Sequence, residues 1–436
     1  MRTLALVLTA SLAAVAAVAV ARSIGPPARF QDPDAAVMQV LHLADRRLSL
    51  MPAVAAWKWQ QHAPVTASAR EQVVIAHAGQ LARPLGLSGG AVERVFALQV
   101  RLAREEEARL EQRWHAVGYD YRGQPPSLQR VLRPQLDQLT TDLLRALYLA
   151  APQLGRADFQ SRYWARAAQA LHAAGWSDAS RRELLADLHA IGAPSGSALE
   201  HIRASGIIRI GTTGDYAPFS LESAGALSGA DIDLGRSLAA SLGAQPVFVH
   251  TSWPGLMSDL AAGRFDLAMS GISITPARAA AAAFSIPYES GGKTIIVRCA
   301  DAHRFPSLAA LDRPDETIIV NPGGTNQDYV RANVHHARVR VFPDNRTIFD
   351  EILQHRADAM ITDDVEVELQ AHEHPGLCRG MAGTLTHADK AILMPKDPAL
   401  LAAVNAWLRA GLAHRRLAAL IRADSGSLDG ARLQGR

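Results

Sequence analysis

The chain has 436 residues, of which 48% are apolar, 20% charged and 6% aromatic, with a formal net charge of +3. That length asks for roughly three units of about 150 residues, and the composition excludes a disordered or collagen-like chain and a polytopic membrane protein. So small a charge excess, with no Lys/Arg block, excludes a dedicated nucleic-acid binder. The first element in chain order has the pattern of a secretory signal: Arg2, a small-residue apolar run from Leu4 to Val20, and Ala19-Val20-Ala21 as a peptidase-type end. Arg22 and Pro26-Pro27 follow at once, so cleavage after Ala21 is expected and residues 1–21 are set aside. No cysteine lies near that end for a lipid anchor, and no later stretch reaches the ~20 apolar residues that span a bilayer.

From residue 30 to 192 apolar residues recur at spacings of three and four without β-branched alternation, which predicts an all-α unit. Ala91 to Ala116 lacks any helix breaker, Gly118 to Pro126 reads as a loop, and Pro152 and Gly175 punctuate the later helices. Ala193-Pro194-Ser195-Gly196-Ser197 forms a short flexible joint, placed at residues 193–198. The remainder, 199–436, alternates short apolar strands with helices. The strands are Ile207–Gly211, Pro246–Val249, Asp266–Met269, Thr294–Val297, Thr317–Val320 and Ala359–Ile361, and the helices include Asp231–Leu242 and Arg346–Gln354. That grammar predicts an α/β unit with largely parallel sheets and ligands at the strand ends. Export makes Cys299 and Cys378 a candidate disulfide, whose loop closure is worth about 4–4.5 kcal/mol on the chain-entropy model. Two buried free thiols are the alternative, and residue types leave the choice open. Neither a metal nor a cofactor is implied.

The positive charge is nearly all arginine; the four lysines are Lys58, Lys293, Lys390 and Lys396. In the helical unit Arg47 and Lys58 are about three turns apart, with Pro52 expected to kink the helix between them. Gln99, Ala103 and Glu107 lie at i, i+4 and i+8, while Arg70 and Arg133 open two further helices. These groups form either a receptor for a dianion or a solvated charged face. The segments Asp45–Leu48, Pro52–Trp59, Arg70, Val95–Val100 with Glu107, and Leu132–Asp137 resemble the secreted helical chorismate mutases. The resemblance implies that Arg47, Arg70 and Arg133 hold the two carboxylates of chorismate, with Gln99 among the binding residues. Lys58 and a protonated Glu107 would donate to the breaking ether oxygen. Such an enzyme binds the compact conformer and stabilises the charge that grows on that oxygen. The family's hydroxyl residue four before the glutamate is here Ala103.

In the second unit Gly211–Phe219, Gly229–Asp233, Trp253–Leu256, Ser270–Arg278 and Phe284–Tyr288 resemble the two-lobed periplasmic amino-acid-binding proteins. The resemblance implies a first lobe of about 199–296 plus 391–425 and a second of about 297–390. It also implies that Thr275 and Arg278 grip a ligand carboxylate. Three departures resemble instead the cyclohexadienyl dehydratases that use this fold: the amide-rich loop Asn321–Asn326, Glu366 three residues beyond Asp363, and Lys293. On that resemblance Glu366 is the general acid and Lys293 its electrostatic partner. Asp215, Trp253, Ser270, Asn321, Thr325, Asn326 and Asp363 bind substrate.

Together the resemblances imply a secreted or periplasmic bifunctional enzyme. It would convert chorismate to prephenate, then prephenate to phenylpyruvate, and arogenate to phenylalanine by the same chemistry. The partners expected are these small molecules, with no nucleic acid and no membrane after signal cleavage; homo-oligomerisation stays open. The alternative is an amino-acid receptor carrying a degenerate helical domain.

Overall fold

The computed structural model describes residues 28–118 and 123–410; the signal-sequence expectation and the expected return of the first lobe beyond residue 410 fall outside them. Seven helices make the first unit. They are α1 (Pro33–Ser49), α2 (Met51–Gln60), α3 (Ser68–Ala82), α4 (Gly89–Val117), α5 (Arg133–Leu154), α6 (Phe159–Ala170) and α7 (Asp178–His189). Local chemistry sets several of their ends. Asp32 and Ser88 cap α1 and α4, Ser177 and Ser180 form a reciprocal capping box on α7, and Gly118 closes α4 at φ 60°. Where a kinked helix is expected at Pro52, the chain instead breaks at Leu50 and Pro52 occupies the first turn of α2, where its missing N–H costs nothing. Pro152 does not end a helix: it sits inside the last turn of α5. Phe96, Phe159, Tyr163 and the leucines of α5 fill the core between these helices.

After α8 (Ala198–Ser205) come two lobes. The first holds β1 (Ile207–Thr212), a small sheet of β2 (Asp215–Tyr216), β3 (Ser220–Ser223) and β4 (Ala226–Ser228), then α9 (Ala230–Ser241), β5 (Gln245–His250), α10 (Leu256–Ala261), β6 (Leu267–Ala268), α11 (Pro276–Ala281) and β7 (Ala283–Phe284). A ribbon strand, β8 (Glu289–Gly291), leads to the second lobe: β9 (Lys293–Arg298), α12 (Leu308–Leu311), β10 (Thr317–Val320), α13 (Thr325–Asn333), β11 (Arg338–Val341), α14 (Ile348–Leu353), β12 (Ala359–Asp363), α15 (Asp364–Glu373) and β13 (Leu377–Arg379). The chain returns through β14 (Ala388–Lys390), paired antiparallel with β8, to β15 (Leu393–Met394) and α16 (Pro398–Arg409). The sheet orders are β5-β1-β6-β15-β7 and β11-β10-β12-β9-β13.

Each sheet has a parallel half, as strand–helix alternation demands, completed by antiparallel strands. The crossings between lobes cause this, because a returning strand enters its sheet in the opposite sense. They also move the lobe boundary. Strand β9, expected to belong to the first lobe as far as Ile296, lies inside the second sheet from Lys293 onward, between β12 and β13. Cys299, just past the end of β9, and Cys378, within β13, form the disulfide.

The two units meet across more than a linker. Tyr148 of α5 is fully buried and donates to Asp266 Oδ1 (3.0 Å), which also accepts from the Arg209 guanidinium (2.6 Å). The guanidinium carbon lies 4.6 Å from the Tyr148 ring centre. Ser195 of the joint donates to the Gly86 carbonyl at 2.9 Å, and its own carbonyl lies 2.9 Å from His201 Nε2, so the segment expected to be a flexible joint is pinned. Ahead of α1, Ala28 and Phe30 bridge to Leu227 and Phe248, so the chain touches the first lobe before entering the helical unit. No helix among the described residues is long and apolar enough to cross a membrane.

Candidate active sites

A pocket of about 190 Å³ opens between α1, α2, α3, α4 and α5. It gathers all six expected polar residues of the helical unit, Arg47, Lys58, Arg70, Gln99, Glu107 and Arg133. Arg47 lies at its floor, 8% exposed, held by Gln99 Oε1 (2.8 Å), the Leu136 carbonyl (2.9 Å) and Thr140 Oγ1 (2.7 Å). Burial lowers its pKa to about 10, still a cation at neutral pH. Lys58 Nζ donates to Glu107 Oε2 at 2.6 Å and to the Val65 carbonyl at 2.7 Å. Arg70 and Arg133 stand exposed at the rim, and Arg104, not expected from the sequence, joins them. The Nε2 of Gln99 is buried without a partner, a donor left over for a ligand. Cations at floor and rim of one apolar-walled pocket suit a rigid dianion.

The second site is the cleft between the lobes. It is lined by Tyr216, Trp253, Gly271, Ser273 and Arg278 from the first lobe and by Asn321, Gly324, Thr325, Asn326, Asn345 and Asp363 from the second. Asp363 closes β12 and is the hub: Oδ1 accepts from Lys293 (3.2 Å), and Oδ2 from Lys390 (2.6 Å) and Tyr216 (2.5 Å). Glu366, one turn into α15, is 2% exposed and accepts from the Thr362 hydroxyl. Asn326 Nδ2 donates to that same hydroxyl (3.0 Å) and to Asn321 Oδ1 (3.2 Å). Trp253 Nε1 donates to Asp215 Oδ1 (3.1 Å).

The second half matches the model of the bacterial extracellular solute-binding proteins, family 3, over residues 208–423, and the first matches chorismate mutase type II over 34–108. The cyclohexadienyl dehydratase of Pseudomonas aeruginosa is 48% identical over 227 residues, 51% of this chain and 85% of that protein. The chain belongs to the cyclohexadienyl dehydratase family. It carries a chorismate mutase domain fused ahead of that half. Similar too are receptors: the histidine-binding periplasmic protein of Salmonella typhimurium is 30% identical, with 36% of this chain and 61% of that protein covered. For fold alone, an amino acid ABC transporter substrate-binding protein of Streptococcus pneumoniae bound to L-arginine superposes with a TM-score of 0.50 at 24% identity, covering 53% of this chain and 98% of that one.

Within the dehydratase half, burial pushes the Glu366 carboxyl up to about 8; the Thr362 hydroxyl opposes this and the Asp363 and Asp215 carboxylates add to it. Burial alone would raise Asp363 as well, but Lys390 and Lys293 outweigh it and hold that carboxylate far below its ordinary range. Burial lowers Lys293, which Asp363 resists. Lys293 therefore bonds directly to Asp363, and Glu366, its expected electrostatic partner, acts on it through space without touching it. Its other contacts are Thr325 Oγ1 (3.0 Å) and Asn326 Oδ1 (2.5 Å). Two further expectations change. Ser270 is turned from the cleft into a hydroxyl cluster with Thr213 (2.8 Å) and Ser220 (2.6 Å), and Thr275 caps α11 by accepting from the Arg278 backbone N–H (3.3 Å). In the mutase half burial raises Glu107, and Lys58 opposes it. Sequence reasoning missed Lys390, Tyr216, Thr140 and Thr362. Of these Lys390 had a signal, since each of only four lysines in an arginine-rich chain calls for a specific reason.

Proposed function

We propose that the chain performs two consecutive reactions, the helical unit rearranging chorismate to prephenate and the two-lobed unit converting prephenate to phenylpyruvate. In the first, Arg47 at the floor with Arg70 and Arg133 at the rim would bind the two carboxylates in the compact conformer. Lys58 and the Glu107 carboxyl would face the ether oxygen as its bond breaks and negative charge grows there. In the second, prephenate loses its ring carboxylate as carbon dioxide and its ring hydroxyl as water, the proton for that water coming from Glu366. Arg278 would anchor the side-chain carboxylate, and the amide group of Asn321 and the indole of Trp253 would orient the ring. Aromatisation drives the step, so one well-placed acid suffices.

The observation that carries the reading is Glu366, an enclosed carboxyl next to the cleft whose proton is retained to about pH 8. A receptor that only closes on its ligand has no use for a buried neutral acid. L-Arogenate loses the same groups to give L-phenylalanine, and the proposal extends to it. An oxidising compartment outside the cytoplasm, the periplasm, fits the formed disulfide and the extracellular solute-binding family. Purified protein given chorismate should yield phenylpyruvate, with prephenate alone supporting the second step. Unchanged chorismate overturns the first assignment, and prephenate bound without turnover overturns the second in favour of a receptor.

A further inference from the structure

Thr362 takes no part in the steps above, yet among the described residues its hydroxyl is the sole hydrogen-bond partner of the Glu366 carboxyl. It lies fully buried on β12 and does not line the cleft. The bonds behind it run in one direction. Lys293 Nζ has three hydrogens and no acceptor, and all three are placed: on Thr325 Oγ1 (3.0 Å), Asp363 Oδ1 (3.2 Å) and Asn326 Oδ1 (2.5 Å). With its oxygen held by the ammonium, the Asn326 amide turns its nitrogen the other way, and its two hydrogens go to Asn321 Oδ1 (3.2 Å) and Thr362 Oγ1 (3.0 Å). The Thr362 hydroxyl therefore receives from Asn326, and its single hydrogen goes to Glu366 Oε2. Lys293, Asn326, Thr362 and Glu366 are all buried, so water does not compete for these bonds. The carbonyl oxygen of a neutral carboxyl is its stronger acceptor. Oε2 is thus the carbonyl, and the acid proton belongs to Oε1, which bonds to no described residue.

We propose that Thr362, oriented by Lys293 through Asn326, fixes the acid proton of Glu366 on Oε1 and holds Oε2 as the charge of the departing proton is left behind. The inference rests on Glu366 being the acid of the second reaction and deepens that reading by naming the group that aims its proton. Thr362 touches no ligand and acts through Glu366, so it is a positioning residue. Two consequences follow from the direction of the chain. A carboxyl without this bond can place its proton on either oxygen and turn about its own axis, whereas the bonded one presents a single O–H. The bond also strengthens as negative charge grows on the carboxyl, because the ammonium and the amide polarise the hydroxyl in that sense. Lys293 thereby supports the acid through two intervening side chains, without an ion pair that would strip the acid of its proton.

Thr362→Val keeps the branched shape and removes the donor. In the full-length chain it should lower kcat for phenylpyruvate formation at least ~10-fold, the scale of one hydrogen bond to a group that becomes charged, and leave KM for prephenate within about twofold. Thr362→Ser should restore the rate. The substitution also removes the bond that favours the ionised carboxyl, so the high-pH decline of the slower enzyme should move above the wild-type position near pH 8. The other charges that act on Glu366, those of Asp363, Asp215, Lys390 and Lys293, stay in place. Difference infrared spectroscopy reads the same bond without turnover. The carbonyl band of the protonated Glu366, assigned by its loss in Glu366→Gln, should rise in frequency in Thr362→Val and return in Thr362→Ser. Wild-type turnover in a folded Thr362→Val protein overturns the proposal, as does an unmoved band or a serine variant that restores nothing. A raised KM at unchanged kcat overturns it in favour of a ligand contact. Should the valine variant fail to fold, Thr362→Ala adds no bulk and is held to the same outcomes. A wild type that binds prephenate without converting it removes the dehydratase reading, and the band still decides whether Thr362 fixes the proton.

Discussion

The mutase pocket and the interlobe cleft both place one buried carboxyl beside cations, yet they wire it differently. Glu107 touches its lysine directly, at 2.6 Å, in a pocket that has Arg47 at its floor and its remaining cations at an open rim. Glu366 touches only the neutral Thr362 hydroxyl, while the two buried lysines beside it are engaged by Asp363. The first arrangement keeps positive charge facing the ligand and suits a reaction in which charge merely shifts. The second diverts the lysines to another carboxylate and so leaves an acid that still has a proton to give. Burial raises both carboxyls; what adds to it at Glu366 is one extra carboxylate, Asp363, which engages the lysines that would otherwise oppose it.

Removing the direct contact should break the comparison most strongly. Lys58→Ala is expected to lower mutase turnover by about 10²–10³, the scale for losing one preorganised donor, while added prephenate is still converted at the wild-type rate. Loss of both activities in a folded protein would show that the sites are not separate. Glu366→Gln should slow phenylpyruvate formation at least ~100-fold, the lower range for a lost general acid, yet still bind prephenate and leave mutase turnover intact. If turnover persists, Asp215, whose carboxyl burial also raises, is the next candidate acid. The assay must subtract the uncatalysed acid decomposition of prephenate.

Acidity gives a third, smaller contrast. Because Glu366 works in its protonated form, the dehydratase rate should decline above about pH 8, whereas Glu107→Gln should flatten whatever high-pH decline the mutase shows. The same carboxyl gives stability an opposite trend from a salt-bridged one. Its folded pKa is raised, so the folded chain holds a proton that the unfolded chain releases above about pH 4.3. That contribution is fully present below the unfolded value and is lost as pH rises toward 8; Glu366→Gln should remove this slope from the unfolding free energy. The smallest effect on catalysis is expected from Tyr148→Phe. It deletes one buried bond between the units while Arg209 still pairs with Asp266, costing about 1–3 kcal/mol of stability in a denaturation curve and changing either rate less than about twofold. A large loss in one rate would mean that the units are coupled through α5.

Much of this was legible because chemistry and period coincide locally. Arg47, Gln99 and Glu107 sit on amphipathic helices whose apolar faces fix which way they point, and Asp363 and Glu366 straddle one strand–helix turn. The parts that were not legible depend on crossings between distant segments. Lys390 reaches Asp363 only because β14 returns beside β8, and Lys293 chooses Asp363 over Glu366 only because β9 runs antiparallel to β12, opposite residue 363. Thr140 lies two turns beyond Arg133 on a face that period alone does not distinguish from core. The lobe boundary failed for the same reason. A strand that opens the second sheet has the same apolar composition as one that closes the first.

The clasp formed by Ala28, Phe30 and the Tyr148–Asp266–Arg209 cluster means that the helical unit leaves from and returns to one lobe. Any rotation about the β8–β14 ribbon therefore carries the second lobe alone, with the helical unit and first lobe acting as one stator. A pair of distance labels, one on the helical unit and one on the second lobe, would thus report the aperture of the cleft directly, and a pair joining the helical unit to the first lobe would supply the constant against which that travel is calibrated.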